Sequence, residues 1–123
     1  MEMKERAQGI KNAELYMKDF AISYVEQDPE SLDAPTVPAA KAANELLNVE
    51  GVKASFVVTE ADDGILYISA RSIGDVNVQL VMEHFGGGGH ANIAGAQLKD
   101  TKKEDFFEQL RAYLAELHSQ GEI

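Results

Sequence analysis

Gly86-Gly87-Gly88-Gly89-His90 is the segment whose residue types point most directly to chemistry. Glycine loses more conformational freedom on folding than any other residue, about 0.5–1 kcal/mol relative to alanine, so a run of them needs a reason. One reason is a concavity in which successive backbone N–H groups converge on phosphate or carboxylate oxygens. The other is a helix C-cap followed by a turn. His90 stands directly after the glycines, where its imidazole can donate to a phosphate oxygen and adds charge when protonated.

Two familiar glycine motifs are excluded by context. A P-loop places Lys-Ser/Thr after its glycines, and this chain has His90-Ala91 there. Gly86-x-Gly88-x-x-Ala91 matches a dinucleotide fingerprint in letters, but that fingerprint follows a strand and opens a helix. Here the order is reversed.

The second chemical feature is Ser69-Ala70-Arg71-Ser72. Arg71 ends an expected strand just before a helix, a position from which side chains often face a cleft. A guanidinium holds a phosphate through two parallel hydrogen bonds, which a lysine cannot match. The competing reading is a surface arginine paired with one of the many carboxylates. Asn77, in the first turn of the next helix, has the groups to bond a ribose, base or phosphate. No nucleophile–base arrangement stands out, so no catalytic residue is expected in this chain. His84 reads as an exposed helix-end histidine favoured by the dipole, and His118 as solvated on the last helix; separated histidines do not make a metal site.

The elements that must position these residues follow from periodicity. Phe20 to Glu26 alternates as a first strand, and Gln27 to Pro38, with all three prolines, reads as loop. Thr36 is the expected N-cap of a helix from about Val37 to Asn48, with Ala39, Ala42, Ala43 and Leu46 as its buried stripe. Lys53–Glu60 and Ile65–Arg71 form a hairpin about Asp63-Gly64. Asp75 is the expected N-cap of a helix to Phe85, striped by Val78, Val81, Met82 and Phe85. A strand over Ile93–Lys99 follows. The capping box Thr101-Lys102-Lys103-Glu104 then opens a last helix striped by Phe106, Leu110, Tyr113, Leu114 and Leu117. The order β-α-β-β-α-β-α predicts an α/β fold bordering on α+β, a mixed β-sheet with helices packed on it.

The bulk composition bounds the function. The 123 residues suffice for one domain, and 45% hydrophobic with 26% charged residues is ordinary for a globular protein. No apolar run approaches the roughly 18 residues of a membrane span, so no direct membrane contact is expected. The chain has no cysteine, which excludes disulfides and is compatible with the cytosol. A net charge of −10 argues against a long duplex nucleic acid as partner. A small anion held by backbone N–H groups and one arginine remains open. Between Ala70 and Lys99 the formal charges are Arg71, Asp75, Glu83 and Lys99 alone, so the excess acid lies elsewhere.

Taken together, Ser55-Phe56-Val57-Val58, Ser69-Ala70-Arg71-Ser72, Asn77-Val78 and Gly86–His90 through Ala94-Gly95-Ala96 resemble the DHH-associated C-terminal domain of DHH-family phosphoesterases. The likeness runs from about Asn12 to Leu117, and within the family looks most like GdpP-type cyclic-di-AMP phosphodiesterases. It implies residues 1–11 as a linker remnant, 12–118 as a substrate-binding domain and 119–123 as a tail. It further implies that the chain is a piece of a longer cytoplasmic enzyme, anchored in a bacterial membrane through a distant region. A DHH catalytic domain of the same parent would hold two Mn2+ ions, with no metal or cofactor in this chain. By the resemblance, Arg71 and Ser72 contact a substrate phosphate and the Gly86, Gly87, Gly88 and Gly89 amides cradle another part of the dinucleotide. His90 binds the phosphate beside the scissile bond, with Asn77 as a further contact. The ligand implied is a cyclic dinucleotide or a short linear one such as pApA. Ala94-Gly95-Ala96 looks closer to the oligonucleotide-degrading members, so an exonuclease-like domain binding short RNA is the alternative. A homodimer or regulatory domain is a third.

Overall fold

The computed structural model describes residues 8–27, 30 and 32–123. The elements run β1 (Glu14–Tyr16), β2 (Phe20–Glu26), α1 (Thr36–Leu46), β3 (Ala54–Glu60), β4 (Leu66–Ser72), α2 (Val78–His84), β5 (Gly88–Gly89), β6 (Ile93–Leu98) and α3 (Lys103–Ser119). They build a mixed six-stranded sheet in the order β1-β2-β3-β4-β6-β5. β2 and β3 are parallel, as the crossover through α1 requires, and the other pairs are antiparallel. The expected strands and helices are present, Phe20–Glu26 with both ends as expected and the others with ends shifted by at most three residues. β1 and β5, of three and two residues, are additions.

Strand alternation divides the side chains between two faces. Phe56 and Val58 of β3, Ile68 and Ala70 of β4, and Ala94 and Ala96 of β6 turn to one face. There they meet Val78, Val81 and Met82 of α2 and Phe106, Leu110, Leu114 and Leu117 of α3. On the other face Ala21, Val25 and Val57 pack against Ala39, Ala42, Ala43 and Leu46 of α1. The alanine stripe brings α1 close enough for the Ser55 hydroxyl to donate to the Ala43 carbonyl at 2.7 Å. α1 lies over β2, β3 and β4 and leaves this same face of β6 and β5 open.

Three expected caps are corrected. Pro35, not Thr36, occupies the N-cap of α1 and supplies no side-chain acceptor; Thr36 is the first helical residue, so the expected loop ends at Pro35. Pro38 falls in the first turn, where a missing N–H breaks no intrahelical bond. Asn77, not Asp75, caps α2, its Oδ1 accepting from Leu80 N–H at 3.2 Å. The chain reaches Asn77 late because Gly74, at φ +65°, and bonds from Ser72 and Asn92 hold residues 72–76 in a loop. Lys102 is the N-cap of α3, and the Thr101 hydroxyl turns back to the Lys99 carbonyl at 2.9 Å instead of closing a capping box.

At the amino-terminal side, residues 1–7 of the expected linker lie outside the described residues. Residues 8–11 form a helical turn fastened to β2, where the Gly9 carbonyl accepts from Ser23 Oγ at 2.6 Å. Asp28, Pro29 and Ser31 of the expected loop also lie outside the described residues. At the other end Ile123 packs against the core.

Candidate anion-binding cleft

The glycine run is shaped by its neighbours one residue at a time. Gly86 stands just past the α2 C-cap at φ +83°, and its N–H bonds the Glu83 carbonyl while Gly87 N–H bonds the Met82 carbonyl. That pair is a Schellman closure, and it consumes two of the amides expected to converge on a ligand. Gly88 and Gly89 pair with Gly95 and Ala94 of β6, and His90 N–H bonds the Ile93 carbonyl at 2.7 Å. The expected nest of successive free amides is therefore replaced by a helix end running into an edge strand. Because antiparallel pairs alternate, the hydrogen-bonded His90–Ile93 pair leaves Gly89 N–H facing away from β6.

Steric space separates the four glycines further. A Cβ on Gly87 would lie 2.0 Å from the Gly95 carbonyl oxygen, and one on Gly89 2.5 Å from that of Ile93. These two are glycine because β6 backbone passes close against them. A Cβ on Gly88 would meet nothing within 4 Å. Gly88 alone faces open space without needing a positive φ.

That space is a cleft of about 810 Å³ on the uncovered part of the α1 face. Its floor is Ser69 and Arg71 of β4 with Ile93, Gly95 and Gln97 of β6. Gly86–Gly89 and His90 form one wall, and Thr36, Val37 and Ala40 of α1 the other. The lining contains no Asp or Glu, although the chain has 21 of them.

Arg71 is the fixed cation of the cleft. Its guanidinium Nη1 donates to the Ala70 carbonyl at 2.9 Å and approaches the Ala94 carbonyl at 3.5 Å. It makes no ion pair among the described residues, which sets aside the surface-pair reading. Burial lowers its pKa from the ordinary value, but a guanidinium stays charged in proteins. A half-buried cation without a carboxylate is poised for an anion from solution. His90 is exposed on the same rim, and its imidazole makes no hydrogen bond among the described residues.

The structure does not bring Ser72 and Asn77 to this cleft. Strand alternation puts Ser72 on the opposite face from Arg71. Its buried hydroxyl donates to the Val76 carbonyl at 2.6 Å and accepts from Asn92 Nδ2 at 2.9 Å. Ser72 thus braces the β4–α2 loop against the turn that carries His90, while Asn77 serves as the helix cap. The hydroxyl facing the cleft belongs to Ser69, two residues before Arg71 on the same strand face. Period-two alternation was the available signal for it. Asn92, which ties the loop to the turn, had no sequence signal. His84 is exposed as expected but stacks on Tyr113, with ring centroids 3.7 Å apart and planes at 11°. His118 is exposed.

Among the described residues, no three His, Cys, Asp or Glu side chains group closely enough to hold a metal ion. The residues present do not fit a two-metal hydrolytic centre, which needs several carboxylate and imidazole ligands. No helix among the described residues is long and apolar enough to cross a membrane.

Residues 18–116 match the DHHA1 domain family. The chain is 43% identical over 106 residues to the cyclic-di-AMP phosphodiesterase PdeA of Listeria monocytogenes serotype 1/2a (strain 10403S), an alignment covering 86% of this chain and 16% of that protein. It is 53% identical over 72 residues to the cyclic-di-AMP phosphodiesterase GdpP of Geobacillus thermodenitrificans (strain NG80-2), covering 58% of this chain and 11% of that one. The chain thus spans less than a fifth of the length of either curated relative. The fold also superposes on an exopolyphosphatase-related protein from Bacteroides fragilis with a TM-score of 0.75 at 22% identity, covering 94% of this chain and 35% of that one. With the match extending over most of its sheet and all of its cleft, the chain belongs to the DHHA1 domain family.

Proposed function

We propose that residues 12–118 are the substrate-holding domain of a dinucleotide phosphodiesterase, flanked by a linker at 1–11 and a tail at 119–123. The observation that carries this reading is the cleft itself. It holds an unpaired arginine and an exposed histidine and no carboxylate, in a chain of net charge −10. Such a site attracts a small anion while the rest of the surface repels a polyanion. The apolar part of the lining, Val37, Ala40 and Ile93, suits a nucleobase beside the phosphate. The relatives named cyclic-di-AMP phosphodiesterases support a cyclic dinucleotide, or the linear product of opening one, as the ligand.

In this reading the chain's own residues bind and orient. Arg71 grips a phosphate through its guanidinium fork and His90 adds a donor at the rim. Gly88 lets the ligand approach the backbone of β5. The hydrolytic metal ions, manganese by family resemblance, would sit in a DHH catalytic domain of the same parent, closing over this cleft from outside. A cytoplasmic location for the domain and membrane anchoring of the parent belong to the same proposal.

The test is an amide NMR titration with cyclic-di-AMP and with pApA. Shifts concentrated at Ser69, Arg71 and Gly86–His90 are expected, and the ligand giving the tighter saturation identifies the substrate. Shifts that avoid these residues would sink the assignment. A short RNA bound with a steep salt dependence at another surface would favour the exonuclease-like alternative.

A further inference from the structure

We propose that Gln97 reads the base attached to the phosphate that Arg71 holds, and that its amide selects adenine over guanine. The inference rests on the nucleotide reading above and names the class of nucleotide the cleft takes.

β6 runs along the cleft with alternate residues on its uncovered face, Ile93, Gly95 and Gln97. Ile93 stands opposite Arg71 and Gly95 opposite Ser69, while Gln97 lies at the far end opposite Tyr67. Gln97 is exposed, lines the cleft and makes no side-chain hydrogen bond among the described residues. Its cross-strand neighbour does not claim it, because the Tyr67 hydroxyl donates to Asp63 Oδ2 at 2.8 Å. Of the side chains lining the cleft, Gln97 alone is an amide, with a donor and an acceptor side by side in one plane.

The separation of cation and amide suits one nucleotide. Arg71 Nη1 approaches the Ala94 carbonyl at 3.5 Å. Ala94 is three residues short of Gln97, about 10 Å along the strand. A phosphate on the guanidinium thus leaves the ribose and base to lie toward Gln97, whose own side chain closes part of that distance. The floor between them is low, since Gly95 has no side chain and Ser69 a small one. Packing requires this glycine, because a Cβ there would lie 2.9 Å from the Ile68 carbonyl, and the flat floor follows from it. Val37 and Ala40 of α1 give the trough an apolar wall for the face of a ring.

Arg71 and His90 address a phosphate, which every nucleotide carries, so they do not distinguish bases. Gln97 does. On the edge that carries N7, adenine presents a donor, its N6 amino group, beside an acceptor, whereas guanine presents two acceptors, O6 and N7. The glutamine amide matches adenine with both groups, Nε2 donating to N7 and Oε1 accepting from N6. Against guanine, Oε1 faces a second acceptor and stays unpaired.

The experiment titrates pApA and its guanine counterpart pGpG into the wild-type chain, Gln97→Leu and Gln97→Arg, by calorimetry and amide NMR. Position 97 is exposed, so both variants should keep the wild-type Tm. The wild type is expected to bind pApA about tenfold tighter than pGpG, the discrimination of one two-pronged base contact, and pApA should shift the Gln97 side-chain amide signals. Gln97→Leu should bring pApA down to the affinity of pGpG. Gln97→Arg presents two donors, the match to guanine O6 and N7, and should reverse the preference. The ratio of affinities is the readout because the added charge acts on both ligands alike. A purely structural Gln97 would move neither ratio. Equal binding of the two by the wild type, with shifts at Arg71 and Gly88, overturns the base contact and leaves the nucleotide reading standing. A wild-type preference for pApA kept by either variant overturns the base contact as well. Binding of neither dinucleotide overturns both readings.

Discussion

Replacing Gly87 and Gly88 separately by alanine separates packing from binding within two adjacent residues. At Gly87 the new methyl would lie 2.0 Å from the Gly95 carbonyl oxygen and 2.7 Å from the Ala96 side chain, so β5 or β6 must move. Forcing a methyl group into packed structure costs about 1–3 kcal/mol, and contact with backbone on a paired strand puts this case at the upper end. At roughly 4 °C per kcal/mol for a domain of this size, Tm should fall by about 10 °C. At Gly88 the methyl meets no atom, and the φ there is one that alanine adopts. Losing the flexibility of glycine in the unfolded chain then stabilises by about 0.4–1 kcal/mol, a rise of about 2–4 °C. The same methyl projects into the cleft and should weaken dinucleotide binding at least tenfold. Scanning calorimetry gives the two Tm values, and isothermal titration with cyclic-di-AMP or pApA gives the affinities. Gly88→Ala with wild-type affinity, or with a loss of Tm as large as that of Gly87→Ala, would refute the division of roles among the glycines.

Arg71→Lys keeps the charge but loses the two-pronged grip, and should lower dinucleotide affinity by about tenfold with an unchanged Tm. Ser72→Ala should instead act on stability, by about 1 kcal/mol, because it removes the 2.6 Å bond to the Val76 carbonyl and the 2.9 Å bond from Asn92, leaving only the longer Asn92 contacts to Gly74 and Val76; calorimetry reads it, and a pure affinity loss would contradict the bracing role. Thr59 Oγ1 is buried without a partner, so Thr59→Val should stabilise by about 1 kcal/mol in denaturant unfolding. The Asp63 carboxyl is held below its ordinary pKa by the Ile65 N–H and the Tyr67 hydroxyl. A depressed folded pKa means that its contribution is complete above about pH 4 and is lost as pH falls further. A carboxyl-carbon NMR titration should place its midpoint below the ordinary aspartate value, and Asp63→Asn should flatten the acid limb of the stability curve.

The strands with alternating residues and the helices with apolar stripes were legible in the chain because they bury one side, and burial leaves a period. β1 and β5 were not, since three residues and two glycines carry no period; only pairing with a neighbour makes them strands. The caps misplaced at Thr36, Asp75 and Thr101 share a cause. A cap depends on where the preceding loop releases the chain, and at Asn77 that was fixed by Asn92, fifteen residues later.

For the cleft, the sequence by itself marked Arg71, His90 and the glycine run, because residue chemistry and flexibility are local properties. What surrounds each of them was decided by the tertiary structure. Close approach of β6 commits Gly87 and Gly89 to packing and leaves Gly88 on open space. The sidedness of β4 sent Ser72 to brace a loop and turned Ser69, at the start of the same motif, to the cleft floor. Which side of a strand stays open depends on how far the helix above it reaches, and α1 ends its cover at β4.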